Sequence, residues 1–440
     1  MNSTRLLAGF VLMSGIYATA AVAQYSDSYV QSRDHPAIGY SKGPVTDRVA
    51  AVNRQLADGS LQLKFDGPGG YLRSALTALN IPVESQVAVF AQNSSQGPLI
   101  GMKNPRALYF NDAVALGFVR GGGYLEVATH DPRQGVIFYT LEQTASSAPQ
   151  FKRDDQCLAC HLTWSTRGVP GLFTLSMLTL PDDKNSYASG FVSNHTTSFD
   201  TRWGGWYVTG NLGSIRHMAN LPVSTTTMPA EPATSKLVSL EGRFDLTGYP
   251  TPYSDVAALL VLEHQTHITN LITRLGWEAR LEAYQPGPDA APSPAPPAAR
   301  SGAAAKDKTS RVEIAAADLV DYALFVYETP LSDKVRGSSG FAEKFAAIGP
   351  ADGKGRSLRQ FDLDQRMMKY PCSYMIYSDA FDALPAPARD QFYRRLWQVL
   401  SGQDKDAKYA TLSLADRRAV VEILRETKKG LPDYFQVVAK

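Results

Sequence analysis

Short apolar stretches separated by turn residues dominate the chain from residue 24 to about residue 150. Four of them are rich in β-branched and aromatic side chains, which is typical of strands. They lie at 85–91, 106–110, 124–129 and 135–140. Asp131 and Pro132 favour a turn between the last two stretches, and this predicts a β-hairpin. With one helix expected near 71–79, the pattern predicts a β-rich region over 24–150.

A longer pattern begins at Ser254, has no glycine or proline before Gly276, and predicts a helix that runs to Ala283. Ser254 can cap this helix, and Asp255 suits its first turn. Its first half is apolar on all sides, so we expect it to be buried. Helical patterns return at 311–328, 341–348, 386–400 and 413–427, and they predict a helical region over 311–440.

The region between these two parts is harder to divide. Residues 285–310 are rich in proline and alanine, which predicts a flexible or extended linker, either between domains or as an exposed insertion. Residues 203–210 are rich in glycine and tryptophan. They indicate either a close approach by another backbone or a flat ligand, or a bulged strand. The expected fold class is therefore α+β: a β-rich N-terminal region, a central segment over 151–284 that ends in the long helix, and a helical C-terminal region.

The N-terminus has the features of a secretory signal peptide over residues 1–23. Arg5 gives a positive start, residues 6–16 form an apolar run too short to span a bilayer, and Ala21 and Ala23 form a small-residue cleavage site. This predicts export to the periplasm. We expect no membrane span, and the formal net charge of +2 argues against nucleic acid as a main partner.

The candidate chemistry lies in the central segment, where Cys157, Cys160 and His161 form a C-x-x-C-H motif. Two thiols at this spacing can form thioethers with the two vinyl groups of one haem, and the adjacent histidine can bind the iron as proximal ligand. C-x-x-C also occurs in zinc sites and thioredoxin-like redox pairs. A zinc site needs further ligands, and only Cys372 and scattered histidines remain. The residues before the motif are mostly polar, unlike the buried strand that precedes a thioredoxin-like pair.

The ligand on the far side of the iron decides the function of a haem protein, and the sequence offers three candidates: Met218, His217 and His264. His264 lies beside Glu263 and three residues before His267 on the predicted long helix. This trio could provide a distal ligand, an acid/base pair or a second metal site. It could equally form a satisfied buried hydrogen-bond network.

Other side chains have weaker claims. His195 is expected to be an ordinary loop or strand-end residue, His130 an exposed turn residue, and Cys372 a buried free thiol. His35, near the predicted mature N-terminus, is the weakest histidine candidate. Four arginines could pair with haem propionates or could be surface charges. They are Arg153, Arg167, Arg202 and Arg216.

The motif resembles that of the c-type cytochromes. The resemblance implies one haem c per chain, attached covalently through Cys157 and Cys160, with His161 as axial ligand. Residues 104–112, 168–171 and 262–266 also resemble a group of large secreted bacterial mono-haem proteins without an established activity. Bacterial di-haem peroxidases and rubber oxygenases are similar in size but carry two such motifs, whereas this chain has one.

The expected function is therefore that of a periplasmic mono-haem c-type cytochrome. It would transfer electrons to or from a redox partner protein or a small-molecule oxidant. One alternative is a haem-dependent peroxidase or oxygenase with an open distal site, in which Glu263, His264 or His217 would be the acid/base group. The other is a haem-based sensor or binding module without turnover.

Overall fold

The computed structural model describes residues 32–177, 190–221, 231–285 and 310–436. The predicted signal peptide at 1–23 lies outside the described residues, as does the predicted linker apart from residues 285 and 310. The predicted α+β class is confirmed. A seven-stranded antiparallel sheet occupies the N-terminal half, and helices dominate the C-terminal half.

The large sheet has the strand order β6-β5-β4-β3-β2-β1-β9, and β7 pairs with β8 in a separate two-stranded sheet. The strands are β1 Val87–Val89, β2 Arg106–Phe110, β3 Val114–Phe118, β4 Tyr124–Asp131, β5 Gly135–Glu142, β6 Lys152–Arg153, β7 Thr174–Ser176, β8 Phe191–Ser193 and β9 Trp206–Tyr207. Six of the strands in the large sheet follow one another along the chain. The seventh, β9, is added after the motif segment and pairs with β1.

The predicted hairpin is present, but its strands extend further than expected. Strands β4 and β5 pair until Asp131 faces Gly135, so the turn is shorter than the sequence indicated. The side chain of Asp131 closes this turn by accepting backbone N–H groups of Arg133 and Gln134. His130 therefore lies in β4, where it is partly buried and hydrogen-bonds to Thr273. The expectation of an exposed turn residue was wrong.

The predicted helices are present; the one predicted at 386–400 has the expected ends, and the others are shorter than predicted. The helices are α1 Arg48–Ala57, α2 Leu72–Ala78, α3 Leu158–His161, α4 Val256–Ala283, α5 Arg311–Ala323, α6 Phe341–Ala347, α7 Asp379–Asp382, α8 Ala386–Leu400 and α9 Leu414–Thr427. Helix α5 ends five residues before the predicted residue 328. Phe325 and Tyr327 adopt positive φ angles of 56° and 64°, which a right-handed helix cannot accommodate.

Asp255, and not Ser254, caps the long helix α4. The carboxylate of Asp255 accepts the backbone N–H groups of Ala257 and Ala258. Ser254 instead joins the helix start to the sheet, because its hydroxyl accepts the N–H of Ala88 and donates to the carbonyl of Tyr207. The first turn of α4 is thereby fixed against β1 and β9.

The two faces of the large sheet belong to two hydrophobic cores. Val87, Val89 and Trp206 point toward α4 and share a core with its apolar first half and with helices α5, α8 and α9. Ala88 and Tyr109 point the other way and share a second core with α1 and α2. In the described part of the chain, no helix has the length and apolarity that a bilayer span requires.

The glycine-rich stretch after the motif is a site of close backbone approach. A Cβ atom at Gly204 would lie 2.3 Å from the carbonyl oxygen of Met177. The N–H of Met177 also hydrogen-bonds to the carbonyl of Gly204 at 2.8 Å. Glycine is therefore required at position 204, because the backbone of Met177 packs directly against it.

Candidate functional site

The C-x-x-C-H motif is held against the sheet by its apolar neighbours. A short 3₁₀ turn over Asp155–Cys157 leads into α3, which ends at His161. Leu158 is buried and shares the second core with Phe138 of β5. Cys157 is partly buried, Cys160 is exposed, and both thiols are free. Both sulfur atoms are thus available for covalent chemistry at the edge of the fold.

The imidazole of His161 has a defined tautomer. Its ring lies between those of Phe138 and Phe173, with ring centroids 4.9 Å and 5.2 Å away. Its Nδ1 atom lies 2.9 Å from the carbonyl oxygen of Gly171. Because a carbonyl can only accept, Nδ1 carries the proton and Nε2 carries the lone pair. Among the described residues, no group hydrogen-bonds to Nε2.

Burial lowers the pKa of His161 to about 4, so the ring is neutral at physiological pH. A neutral imidazole with a protonated, hydrogen-bonded Nδ1 is the form that binds a metal through Nε2. The histidine of the motif therefore has the protonation state that an axial iron ligand needs.

Helix α4 holds the segment that follows the motif. The side-chain amide of Asn270 accepts the N–H of Leu172 at 3.1 Å and donates to the carbonyl of the same residue at 2.7 Å. A Cβ atom at Gly171 would lie 2.0 Å from Oδ1 of Asn270, so only glycine fits between them. The carbonyl of Gly171, which accepts the Nδ1 proton of His161, is therefore adjacent to Leu172, whose backbone is held by the buried side chain of Asn270.

The thiol of Cys157 lies in surroundings that disfavour its ionisation. Burial, together with nearby Asp154, raises the pKa of Cys157 to about 12, so this thiol stays protonated. Within the described ranges, no three or more His, Cys, Asp or Glu side chains are arranged to hold a metal ion. The residues of the motif are thus two free thiols, at Cys157 and Cys160, and the neutral imidazole of His161.

The three candidates for the far side of the iron differ in which atoms remain available. His217 is fully buried, and its Nδ1 accepts the N–H of Ala219 at 3.1 Å, so in the neutral ring Nε2 carries the proton and no lone pair. His264 uses both nitrogens: Nδ1 lies 2.9 Å from Nδ1 of His195, and Nε2 lies 2.7 Å from Oγ of Ser373. The thioether of Met218 has no hydrogen bond among the described residues, and the residue is 8% exposed.

Glu263 of α4 lies in a buried polar network. Its carboxylate accepts the hydroxyl of Ser193 and lies 3.5 Å from the guanidinium of Arg202. Arg202 also donates to the carbonyl of His195 at 2.8 Å. The network is not fully satisfied among the described residues, because Nε2 of His195 and Nδ1 of His267 are buried without a hydrogen-bond partner.

Two members of this network were missed by sequence reasoning. His195, expected to be an ordinary loop residue, is 2% exposed and stacks on Tyr322 with ring centroids 4.0 Å apart. Tyr322 in turn contacts His267, whose Nε2 lies 3.4 Å from the guanidinium of Arg167. Arg167 follows the motif by six residues, so these contacts connect the network to the motif segment. The spacing of His264 and His267 was the one available signal, and it did not reveal their partners.

The remaining candidates are placed as follows. Cys372 is fully buried, as expected. Arg153 pairs with Asp155, and Arg216 is exposed and donates to the carbonyl of Pro232. His35 accepts the N–H of Ala37 through Nδ1. None of these contacts brings the residue against the imidazole of His161.

A cavity of about 30 Å³ lies between the large sheet and α4. It is lined by apolar groups of the sheet and by Gln265, Thr266 and Thr269 of the helix. This volume suits about one water molecule. None of the three motif residues lines this cavity, and the motif has its exposed side at Cys160 and Trp164, which is 63% exposed.

Comparisons of the chain with protein-family models, with curated proteins and with solved structures found no match.

Proposed function

We propose that this protein is a periplasmic mono-haem c-type cytochrome that transfers electrons. One haem c would be attached through Cys157 and Cys160, with His161 as the proximal ligand. The observation that carries the proposal is the hydrogen bond from Nδ1 of His161 to Gly171, because it leaves the lone pair of Nε2 available beside two free thiols. The predicted signal peptide supports the location, since haem is attached to this motif outside the cytoplasm.

The bound haem would supply a centre that gains and loses one electron. The surrounding residues would tune and protect it. The carbonyl of Gly171 increases the basicity of the coordinating nitrogen, and Phe138 and Phe173 shield the imidazole from water. Exposure of Cys160 and Trp164 would leave one edge of the haem within reach of a partner protein or a small-molecule oxidant.

For the sixth position we propose Met218. Its sulfur has no hydrogen-bond partner among the described residues, whereas Nδ1 of His217 accepts the N–H of Ala219 and both ring nitrogens of His264 are hydrogen-bonded. A Met218→Leu variant should lose the low-spin spectrum, whereas His217→Gln and His264→Gln should retain it. A low-spin spectrum that survives in Met218→Leu would reject the methionine.

Haem attachment is tested by expressing the chain with its signal peptide and a haem maturation system, followed by intact-mass measurement. The purified protein should carry the mass of one haem, and Cys157→Ser with Cys160→Ser should abolish the covalent adduct. Cys372→Ala is the matched control and should retain it. A protein that never acquires haem under these conditions would reject the proposal.

Carbon monoxide distinguishes the electron carrier from the alternatives. If the reduced spectrum is unchanged by CO, the iron has two strong protein ligands, as a carrier requires. Rapid CO binding would instead favour a peroxidase, an oxygenase or a sensor with an open distal site.

A further inference from the structure

Asn270 is a fully buried polar residue in the middle of α4, and it contacts the backbone next to Gly171. We infer that Asn270 is a positioning residue for His161: its amide fixes the backbone at Leu172 and thereby holds the Gly171 carbonyl where it accepts the proton on Nδ1. This inference rests on the proposed function only where it concerns the midpoint potential of a bound haem. The effect on the histidine itself can be measured without haem.

The geometry leaves this backbone little freedom. Asn270 binds both the N–H and the carbonyl of Leu172, so the residue cannot rotate without losing both hydrogen bonds. On the other side, Gly171 donates its N–H to the carbonyl of His161 at 3.0 Å. The Gly171 carbonyl, which accepts the proton on Nδ1, is therefore held on one side by the hydrogen bond to His161 and on the other side by Asn270 of α4.

The chain offers a matched control for this arrangement. Asn53 of α1 makes the same pair of hydrogen bonds to Phe151, donating to its carbonyl at 2.8 Å and accepting its N–H at 3.0 Å. Phe151 precedes the motif, and its two hydrogen bonds to Asn53 do not involve His161, Gly171 or Leu172. Replacement of Asn53 should cost a similar pair of hydrogen bonds while it leaves the acceptor for His161 in place.

The first test measures the tautomer of His161 by ¹⁵N NMR in the full chain, made without haem maturation. The wild type should show the proton on Nδ1. Asn270→Ala should yield a mixture of the two tautomers, and Asn53→Ala should not. The isosteric Asn270→Asp is the second variant: it can accept from Leu172 but cannot donate to its carbonyl, and we expect an intermediate mixture.

The second test measures the midpoint potential of the haem-loaded chain. A weaker hydrogen bond at Nδ1 makes the imidazole a poorer electron donor, which destabilises ferric iron and raises the potential. Asn270→Ala should therefore raise it, and Asn53→Ala should leave it unchanged.

Three outcomes would overturn the inference: a wild-type protein with the proton on Nε2, folded Asn270 variants that keep the wild-type tautomer, or an equal change in the Asn53 variant. Failure of the proposed function looks different. A chain that takes up no haem but shows the tautomer change at Asn270 alone would keep the positioning role and reject the cytochrome.

Discussion

His161 and Gly171 are joined by two hydrogen bonds that run in opposite directions. The N–H of Gly171 donates to the carbonyl of His161 at 3.0 Å, and Nδ1 of His161 donates to the carbonyl of Gly171 at 2.9 Å. The chain from His161 to Gly171 therefore forms a loop that these two hydrogen bonds close, with the candidate iron ligand at its start. Both hydrogen bonds lie within this short segment, and Asn270 of α4 stabilises it through the backbone of Leu172.

Replacing Gly171 with alanine should destabilise this loop. The new Cβ atom would meet Oδ1 of Asn270 at 2.0 Å, and the neighbouring backbone would have to move. We expect the free energy of unfolding, measured with urea, to fall by about 1–3 kcal/mol. Gly123→Ala is the control, because nothing lies within 4 Å of its added methyl group. Equal stability of the two variants would contradict the tight contact.

Stability should decrease as the pH falls below about 6.5. Burial lowers the pKa of both His264 and His267 to about 3, whereas an unfolded histidine titrates near about 6.5. Above this pH both states are neutral. Below it, the unfolded chain takes up protons that the folded chain does not, so unfolding is favoured.

Each such histidine should contribute a slope of about 1.4 kcal/mol per pH unit between about pH 6 and pH 4. Urea unfolding at pH 7.5, 6 and 5 measures the total. His264→Gln should remove the contribution of one histidine from the slope, and a slope identical to that of the wild type would show that His264 is not protonated on unfolding in this range.

The buried pair of Arg202 and Glu263 should show strong coupling in a double-mutant cycle. Their side chains are at most 2% exposed and lie 3.5 Å apart. Arg202→Met or Glu263→Gln alone leaves a buried unpaired group and should cost about 3–5 kcal/mol. The double variant should cost clearly less than the sum.

The exposed pair of Arg48 and Asp379 gives the reference for this cycle. Its side chains are 51% and 77% exposed, so its coupling energy should be about 0–1 kcal/mol. Additive effects at Arg202 and Glu263 in urea unfolding would argue that the two groups do not form an ion pair.

Removal of the α4 cap should be more costly than removal of an exposed cap. Asp255 accepts N–H groups from the first turn of α4 and from Ser338 and Ser339, and it is fully buried. Asp255→Ala should lower the free energy of unfolding by about 2–5 kcal/mol, because several buried donors lose their acceptor. Ser413→Ala, at the exposed cap of α9, should cost about 0.5–1 kcal/mol. Similar costs in thermal or urea unfolding would contradict the shared role of Asp255.

Local patterns predicted the regular elements well, and long-range packing decided the rest. The predicted helix at 386–400 matches α8, and the predicted hairpin is present. Strand β9 could not be foreseen, because it has two residues and pairs with β1 more than a hundred residues earlier. The early end of α5 also depends on tertiary contacts, since Phe325 packs on the ring of His264 at 4.5 Å.

The candidate site divides in the same way. Cys157, Cys160 and His161 form one continuous motif, so the sequence alone identified them. Asn270 is one polar residue in a helix, and nothing in its neighbourhood indicates that Leu172 is its partner. His195 belongs to the buried network because β8, which ends two residues before it, places it beside His264 of α4.

The position of β9 bears on the order in which the protein can fold. Strands β6 and β9 flank the segment that carries the motif, so the large sheet is complete only after that whole segment has been placed. Pairs that are distant along the chain form late, because closing a long loop costs entropy before any contact compensates for it. The two motif thiols therefore pass through a stage at which most of the sheet can already exist while they are still fully accessible.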